Sequence, residues 1–485
     1  MRDGCRLAVD VYLPTALAEG QSVPRQFPTL VLFTPYYRRF KLEPPDAVAE
    51  PSPNAGRYRD FFVPRGYALV VVDIRGTGAS FGSRDAFRSP REREDYAEIA
   101  DWIVAQDWCD GSIGSTGISY VGAASLFLAS TGHPAVKAVA PLFSVWDTYL
   151  DHFFPGGLIL ARLAETGEAM MSALDRDHRD RIRSLAYYRE PALAGAQPVD
   201  ADTDGALYRE AVREHHANFH MPDFLGEFRC RDDSLPYDPT FTTQTFSPNG
   251  YRSGFRDEVA VYSISGWYDG AGFSNAAISR FLTLGGGRQH LLLGPWDHGA
   301  RVNVSPWRSA VAPEFDVNAE LLRFFDHYVM GLDTGLEAES RVHYFSMHDE
   351  TWRSSDTWPA LSLKEVCWNL NQSGELNAQP GPEADERFKA NFAFGTGFNT
   401  RFERLSAMDT RDYYIDWEER ERTLTSYTSS PLSEDVAIVG HPIADLLMAA
   451  SEPDAAIHVY LSEVLEDERV VYVTEGVLRA LHREE

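Results

Sequence analysis

The stretch Ser115-Thr116-Gly117-Ile118-Ser119-Tyr120-Val121-Gly122 decides how this chain reads. A short apolar strand signal leads into it, and the small-residue run Gly122-Ala123-Ala124-Ser125 leads out. The pattern predicts a strand, a sharp turn and a helix over 122–130, with the Ser119 hydroxyl at the apex. A serine is a weak nucleophile at neutral pH, so it needs a base and an orienting acid. Two downstream segments offer them, each just after its own apolar run. Asp269 stands in Gly266-Trp267-Tyr268-Asp269-Gly270, and His298 in Gly294-Pro295-Trp296-Asp297-His298-Gly299.

Strand signals flank this element on both sides. Residues 7–12 alternate, and 29–34 and 67–73 are continuous apolar runs suited to strands buried on both faces. Over 93–108, Tyr96, Ile99, Trp102 and Ile103 recur at helical spacing, and 137–141 gives the next strand. Strands separated by helices predict a mostly parallel sheet covered on both sides. The pattern changes near Trp146. Up to about Arg256 the chain is aromatic, His-rich and helical in propensity, with helices expected over 158–175 and 206–219. Sheet signals resume at 259–265 and 290–294, followed by a helix over 318–329. Beyond Leu361 only short strand signals remain, at 366–370, 437–439, 457–461 and 470–473, which predicts an all-β sandwich. The expected fold class is therefore α/β. Residues 1–145 and 257–360 form the core, 146–256 an inserted helical cap or lid, and 361–485 a C-terminal β domain.

Composition bounds what such a protein can do. The chain has 485 residues, 44% hydrophobic and 12% aromatic, ample for buried cores and about three domains. Its net charge of −27 argues against nucleic acid or an anionic membrane as partner, since either is repelled. No stretch approaches ~18 uninterrupted apolar residues, and Met1-Arg2-Asp3-Gly4-Cys5 lacks the apolar core of a signal peptide. Cys5, Cys109, Cys230 and Cys367 are scattered without disulfide or metal spacing. A reduced, cytoplasmic enzyme that needs no cofactor and no metal is the expectation. A homodimer is compatible with it.

Nucleophile, acid, histidine is the chain order of an α/β-hydrolase. The second glycine of G-x-S-x-G falls one position late here, at Gly122, so the motif counts only in company with the ordered Asp269 and His298. His298 lies on a Pro- and Gly-flanked loop past a strand end, where catalytic groups on open parallel sheets collect. Asp297 competes as its acid, but adjacent residues rarely point at each other, which favours Asp269. A developing oxyanion needs two donors. The Tyr120 amide, following the nucleophile, is the first. The loop Thr34-Pro35-Tyr36-Tyr37-Arg38-Arg39 contains no His-Gly-Gly-Gly, so the Tyr36 phenol is the candidate for the second. Phe153, Phe154, Trp267, Phe273 and Trp296 are candidates for an apolar acyl pocket, or equally for core.

Taken together, Met1-Arg-Asp-Gly4, Thr34-Pro-Tyr36, Asp73-Ile-Arg-Gly-Thr-Gly78, Gly117-Ile-Ser-Tyr-Val-Gly122, Gly266-Trp-Tyr-Asp-Gly270 and Gly294-Pro-Trp-Asp-His298 carry a resemblance. The chain resembles the cocaine esterase/X-Pro dipeptidyl-peptidase (CocE/NonD, S15-type) hydrolases over nearly its whole length. The resemblance implies an α/β-hydrolase core, a helical cap and a C-terminal jelly roll. It implies a triad of Ser119, Asp269 and His298, with the Tyr36 hydroxyl and Tyr120 amide as oxyanion donors; the late glycine is the family's own pattern. Three departures stand out. Gly270, Ala271 and Gly272 follow the acid where amino-ester hydrolases carry ammonium-binding carboxylates. Ala271 stands where cocaine esterases place an aromatic. The chain also starts inside the expected first hairpin and stops before a complete jelly roll, the expectation for a truncated product with an incomplete β domain.

The leading expectation is thus a serine hydrolase cleaving small carboxylic esters through an acyl-enzyme. The alternative is an X-Pro dipeptidyl-peptidase or other amide or short-peptide hydrolase using the same triad. It would need a cap carboxylate for the substrate amine, from Asp147, Asp151, Glu165 or Glu168. A metallohydrolase built on His215, His216 and His220 lacks a His-Glu-x-x-His. A nucleotide loop at Gly76-Thr77-Gly78-Ala79-Ser80-Phe81-Gly82 has its third glycine late and would leave the triad unexplained.

Overall fold

The computed structural model describes residues 1–17, 23–307, 314–360, 364–392, 395, 399–402, 413 and 423–483. Its centre is a nine-stranded sheet. The strands are β1 (Val9–Tyr12), β2 (Phe27–Thr34), β3 (Ala68–Asp73), β4 (Cys109–Ile118), β5 (Val136–Leu142), β6 (Ala260–Gly266), β7 (Gln289–Gly294), β8 (Val342–Ser346) and β9 (Thr351–Ser355). They lie in the order β1-β3-β2-β4-β5-β6-β7-β8-β9. The seven inner strands run parallel, while β1 and β9 pair antiparallel at the two edges.

Continuous apolar runs make these strands because both faces are covered. Val31 and Phe33 of β2, with Val70 and Val72 of β3, pack against Tyr96, Ile99 and Ile103 of helix α1 (Pro90–Val104). Leu30, Leu32, Leu69 and Val71 face the other way, toward Tyr58, Phe62 and Phe325. Phe325 belongs to α6 (Val317–Tyr328), which takes the place of the helix expected over 318–329. Helix α1 starts earlier than its apolar spacing indicates, because Ser89 and Glu92 form a capping box ahead of Pro90. It also ends earlier, at Val104, because β4 begins at Cys109.

The inserted segment is less helical than expected. It contains α3 (Ala161–Asp175), α4 (Ala206–Glu214) and α5 (Met221–Gly226), plus short turns and strands. The helix expected over 206–219 stops at Glu214 and tightens into a 3₁₀ turn, His215–Ala217. The turn buries His215, whose Nδ1 and Nε2 lie 2.9 and 2.6 Å from the carbonyls of Asp175 and Ser80.

Past residue 360 the described strands form small antiparallel sheets. The longest is the hairpin β10 (Ala456–Val464) and β11 (Val470–Arg479), and Asn369–Asn371 pairs with Glu375–Asn377. Residues 437–439 are not in a strand, and Ile438 is exposed; no ladder partner lies beside them among the described residues. This region packs on the core through Tyr413, whose hydroxyl donates to the Tyr268 carbonyl at 3.0 Å, and Arg401, which donates to Ser274 Oγ at 3.1 Å. Among the described residues no helix is long and apolar enough to cross a membrane.

Candidate active site

Ser119 sits between the end of β4 and the start of α2 (Tyr120–Ser130), at φ 63° and ψ −119°. A non-glycine residue there is strained, and the surroundings hold it. Its N–H donates to the Leu142 carbonyl of β5 at 2.9 Å, and its carbonyl accepts from the Ala123 N–H at 3.0 Å. Both glycines of the motif are explained by close approach. A Cβ on Gly117 would stand 2.2 Å from Val121 Cγ1, and one on Gly122 would stand 2.7 Å from the Gly117 carbonyl. Because Val121 lies over Gly117, the second glycine is needed at 122, where α2 crosses the strand ends.

Asp269 follows β6 and is fully buried. Its Oδ1 lies 2.7 Å from His298 Nδ1, and its Oδ2 accepts from Ser265 Oγ at 3.2 Å. Burial pushes the Asp269 carboxyl up, while the adjacent imidazole and these hydrogen bonds pull it back down. His298 follows β7, its ring packed between Phe143 at 5.9 Å and Phe273 at 5.3 Å. The loop lies against the serine strand: a Cβ on Gly299 would stand 3.5 Å from Ile118 Cδ1. With Nδ1 on Asp269, Nε2 is the nitrogen left to exchange a proton. Asp297 closes its own loop instead, its Oδ1 accepting from the N–H groups of Arg301 and Val302 at 3.1 and 3.2 Å.

Tyr36, on the loop after β2, reaches the serine. Burial raises its phenol above the ordinary range, against the pull of Arg88 and of a hydrogen bond with the Ser119 side chain. A phenol kept protonated is a donor. The Tyr120 ring stands edge-on to Tyr36 at 6.5 Å, and its hydroxyl donates to Glu92 Oε2 at 2.7 Å. Glu92 also accepts from the Tyr96 hydroxyl and the Ser89 N–H, and burial pushes its carboxyl up to about 6.

The aromatic candidates divide. Phe273 packs on His298, and Phe153 lies one ring away, against Phe87 and His152. Phe154 is stacked on Tyr149 at 4.5 Å. Trp267 donates its indole N–H to the Phe345 carbonyl at 2.7 Å and lies on Trp358 at 5.8 Å. Its ring is committed to the far edge of the sheet. Trp296, by contrast, is fully buried, under Phe315 and Trp352.

Most of the other sequence candidates have structural partners, while Glu165 is exposed on the cap. Asp147 accepts from Arg231 and Gln244, Asp151 from the N–H groups of Trp146 and Asp147, and Glu168 from the Met221 N–H. His220 bonds to Asp223, and no trio of metal-ligating side chains gathers among the described residues. The glycine loop folds over Asp73, which accepts from the Ala79 and Arg38 N–H groups; a Cβ on Gly78 would strike its carboxylate at 2.3 Å. That loop shapes the protein around a buried carboxylate. Arg88, Glu92 and His152 were not legible in the sequence: charged side chains beside a helix start, and a lone histidine in an aromatic stretch, read as solvated surface or core packing.

Comparison with known proteins agrees with this architecture. The pattern of the X-Pro dipeptidyl-peptidase (S15 family) matches residues 3–300, and that of the X-Pro dipeptidyl-peptidase C-terminal non-catalytic domain matches 334–485. A Mycobacterium bovis protein provisionally named a serine esterase is 36% identical over 100% of this chain and 80% of its own length. The cocaine esterase of a Rhodococcus strain is 24% identical, over 100% of this chain and 82% of its own. A crystal structure of an aminopeptidase from a marine sediment archaeon, Thaumarchaeota archaeon, shares the fold with a TM-score of 0.68. It is 20% identical and covers 100% of this chain and 81% of that one. Shared pattern over more than half of the sequence, with an end-to-end relative above 30% identity, makes this chain a member of the S15 family of hydrolases.

Proposed function

We propose that the chain hydrolyses carboxylic esters through an acyl-enzyme on Ser119. The observation that carries this reading is the 2.7 Å His298–Asp269 pair, on a loop packed against the strand that leads into Ser119. His298 Nε2 takes the Ser119 proton as Oγ bonds to the ester carbonyl carbon. Asp269 holds the ring by Nδ1 and stabilises the imidazolium. The Tyr36 hydroxyl and the Tyr120 amide donate to the oxygen that becomes negative. Collapse breaks the bond to the alcohol oxygen, which leaves with the proton from His298. Water then enters by the same steps and releases the acid.

X-Pro cleavage, which the family's name suggests, follows the same chemistry but needs a carboxylate for the substrate amine. Asp147, Asp151 and Glu168 are engaged in the cap, Glu165 is exposed, and 270–272 are Gly, Ala and Gly; the three engaged carboxylates and the missing ones after the acid favour esters. Fluorophosphonate labelling followed by mass mapping is expected to find Ser119 modified. Ser119→Ala is expected to lose the label and ~10⁴-fold or more of its turnover, with an unchanged circular dichroism spectrum. A panel of nitrophenyl esters against X-Pro anilides separates the two readings; turnover of anilides alone would reverse their order.

A further inference from the structure

Arg88 is 2% exposed, lies against Tyr120 next to the Ser119 turn, and has φ 66°, a left-handed conformation costly for a non-glycine residue. Its guanidinium lies over the rings of Phe87 and Tyr120, at 4.3 and 5.0 Å from their centroids. Its only hydrogen bond among the described residues is a long one, from Nη1 to Thr148 Oγ1 at 3.4 Å, and its buried Nε has none. Neighbouring buried arginines are differently placed. Arg38 pairs with Asp10 and Asp73, Arg75 with Asp95, and Arg84 with Asp175. Arg280 lacks a carboxylate but donates to Ser263 and to two backbone carbonyls. Glu92, the carboxylate that Arg88 senses, has its oxygens taken by two phenols and a backbone N–H.

His152 completes the cluster. It is 6% exposed, and its Nδ1 is buried without a partner. Its ring is stacked on Phe153 at 4.1 Å and faces Phe273 at 5.3 Å, the ring that packs on His298. Burial first, then the charge of Arg88 and the neighbouring His298 ring, hold this imidazole well below the ordinary histidine range, so it is neutral. A cation taken from water without a counter-charge is costly, and a ligand carboxylate that reaches it recovers that cost.

We infer that Arg88 and His152 form a buried subsite for a carboxylate on the acyl group, making short dicarboxylic monoesters the preferred substrates. The inference rests on Ser119 as nucleophile. The acyl side follows from what Arg88 touches. It packs on Tyr120, whose amide would hold the acyl oxygen, and its field acts on the Tyr36 phenol. The alcohol departs toward His298, which protonates it.

The test compares monobenzyl glutarate with benzyl pentanoate, following benzyl alcohol by chromatography. A second pair moves the charge across the ester: the butyrate of 4-(hydroxymethyl)benzoate against benzyl butyrate. The wild-type protein is expected to favour the glutarate monoester in kcat/KM by about tenfold or more, with no such preference in the second pair. Arg88→Met should lower that ratio at least tenfold, and Arg88→Lys should restore part of it. Intact-mass analysis should show a glutaryl group on Ser119 under rapid quench. A wild-type ratio at or below one, a preference only in the second pair, or an unchanged ratio in Arg88→Met would overturn the inference. Should the variants fail to fold, the wild-type ratio and stronger inhibition by glutarate than by pentanoate decide it. Failure of every ester together with absence of fluorophosphonate labelling would instead remove the reading of Ser119, and this inference with it.

Discussion

Tyr36 donates a hydrogen bond only while its phenol is protonated, and burial beside the Ser119 hydroxyl keeps it so. Tyr36→Phe keeps the ring and deletes the donor. It is expected to lower kcat by about 10²–10³ with little change in KM, since in the proposed mechanism the donor serves the transition state; steady-state kinetics on one ester measures this. Asp151 gives a pH signature. Burial and the neighbouring Asp147 push its carboxyl up to about 7 from an ordinary value of 3.8. Between pH 4 and 7 the folded protein therefore holds a proton that the unfolded chain has released. Stability from this group is full below the unfolded value and is lost as pH rises through the folded one. Asp151→Asn, which can still accept from the Trp146 and Asp147 N–H groups, is expected to flatten the fall in stability between pH 4 and 7. At pH 8 it should exceed wild type, by an amount on the order of a few kcal/mol; urea unfolding at four pH values checks the slope. Ser119, Asp269 and His298 were legible because each follows its own apolar run. Arg88, Glu92 and His152 were not, since burial of a charge depends on what folds over it.

The element that matters most is the strand-turn-helix from Cys109 to Ser130. Its tightness resides in Gly122, where a Cβ would meet the Gly117 and Leu142 carbonyl oxygens at 2.7 and 3.1 Å. These are backbone atoms and cannot swing aside. Gly122→Ala is expected to cost about 1–3 kcal/mol by overpacking, and to lower kcat more than KM as the serine shifts. Thermal unfolding and kinetics on one preparation test both. Parallel strands were readable because both-face burial writes continuous apolar runs. Strands β8 and β9 escaped notice: β8 is five residues long, and β9, Thr-Trp-Arg-Ser-Ser, is an exposed edge with no apolar alternation. The turn at His215 was hidden for another reason. Helical propensity continues through it, but the imidazole lies between two carbonyls that only the folded chain supplies.

Across the whole molecule, the C-terminal strand region bears on the acid loop. The Tyr413 hydroxyl holds the Tyr268 carbonyl, one residue before Asp269, and the Tyr472 ring packs against both tyrosines. Tyr413→Phe is expected to cost about 1 kcal/mol of stability and to lower kcat several-fold. The KM should change little, because the altered contact reaches the acid and not the substrate; calorimetry with kinetics reads both. The β region expected from residue 361 onward shows how far pattern carries. Its hairpin formed where apolar signals had a partner, while 437–439 have none among the described residues. The sequence by itself determined the α/β class, the order along the chain of the strands up to β7 and the candidate triad, because burial and turn chemistry are written locally. Only the tertiary structure decided which aromatics flank His298, which cap carboxylates remain unspent and where an unpaired guanidinium lies. Those properties are set by side chains far apart in the chain, whose solvation is fixed once they pack.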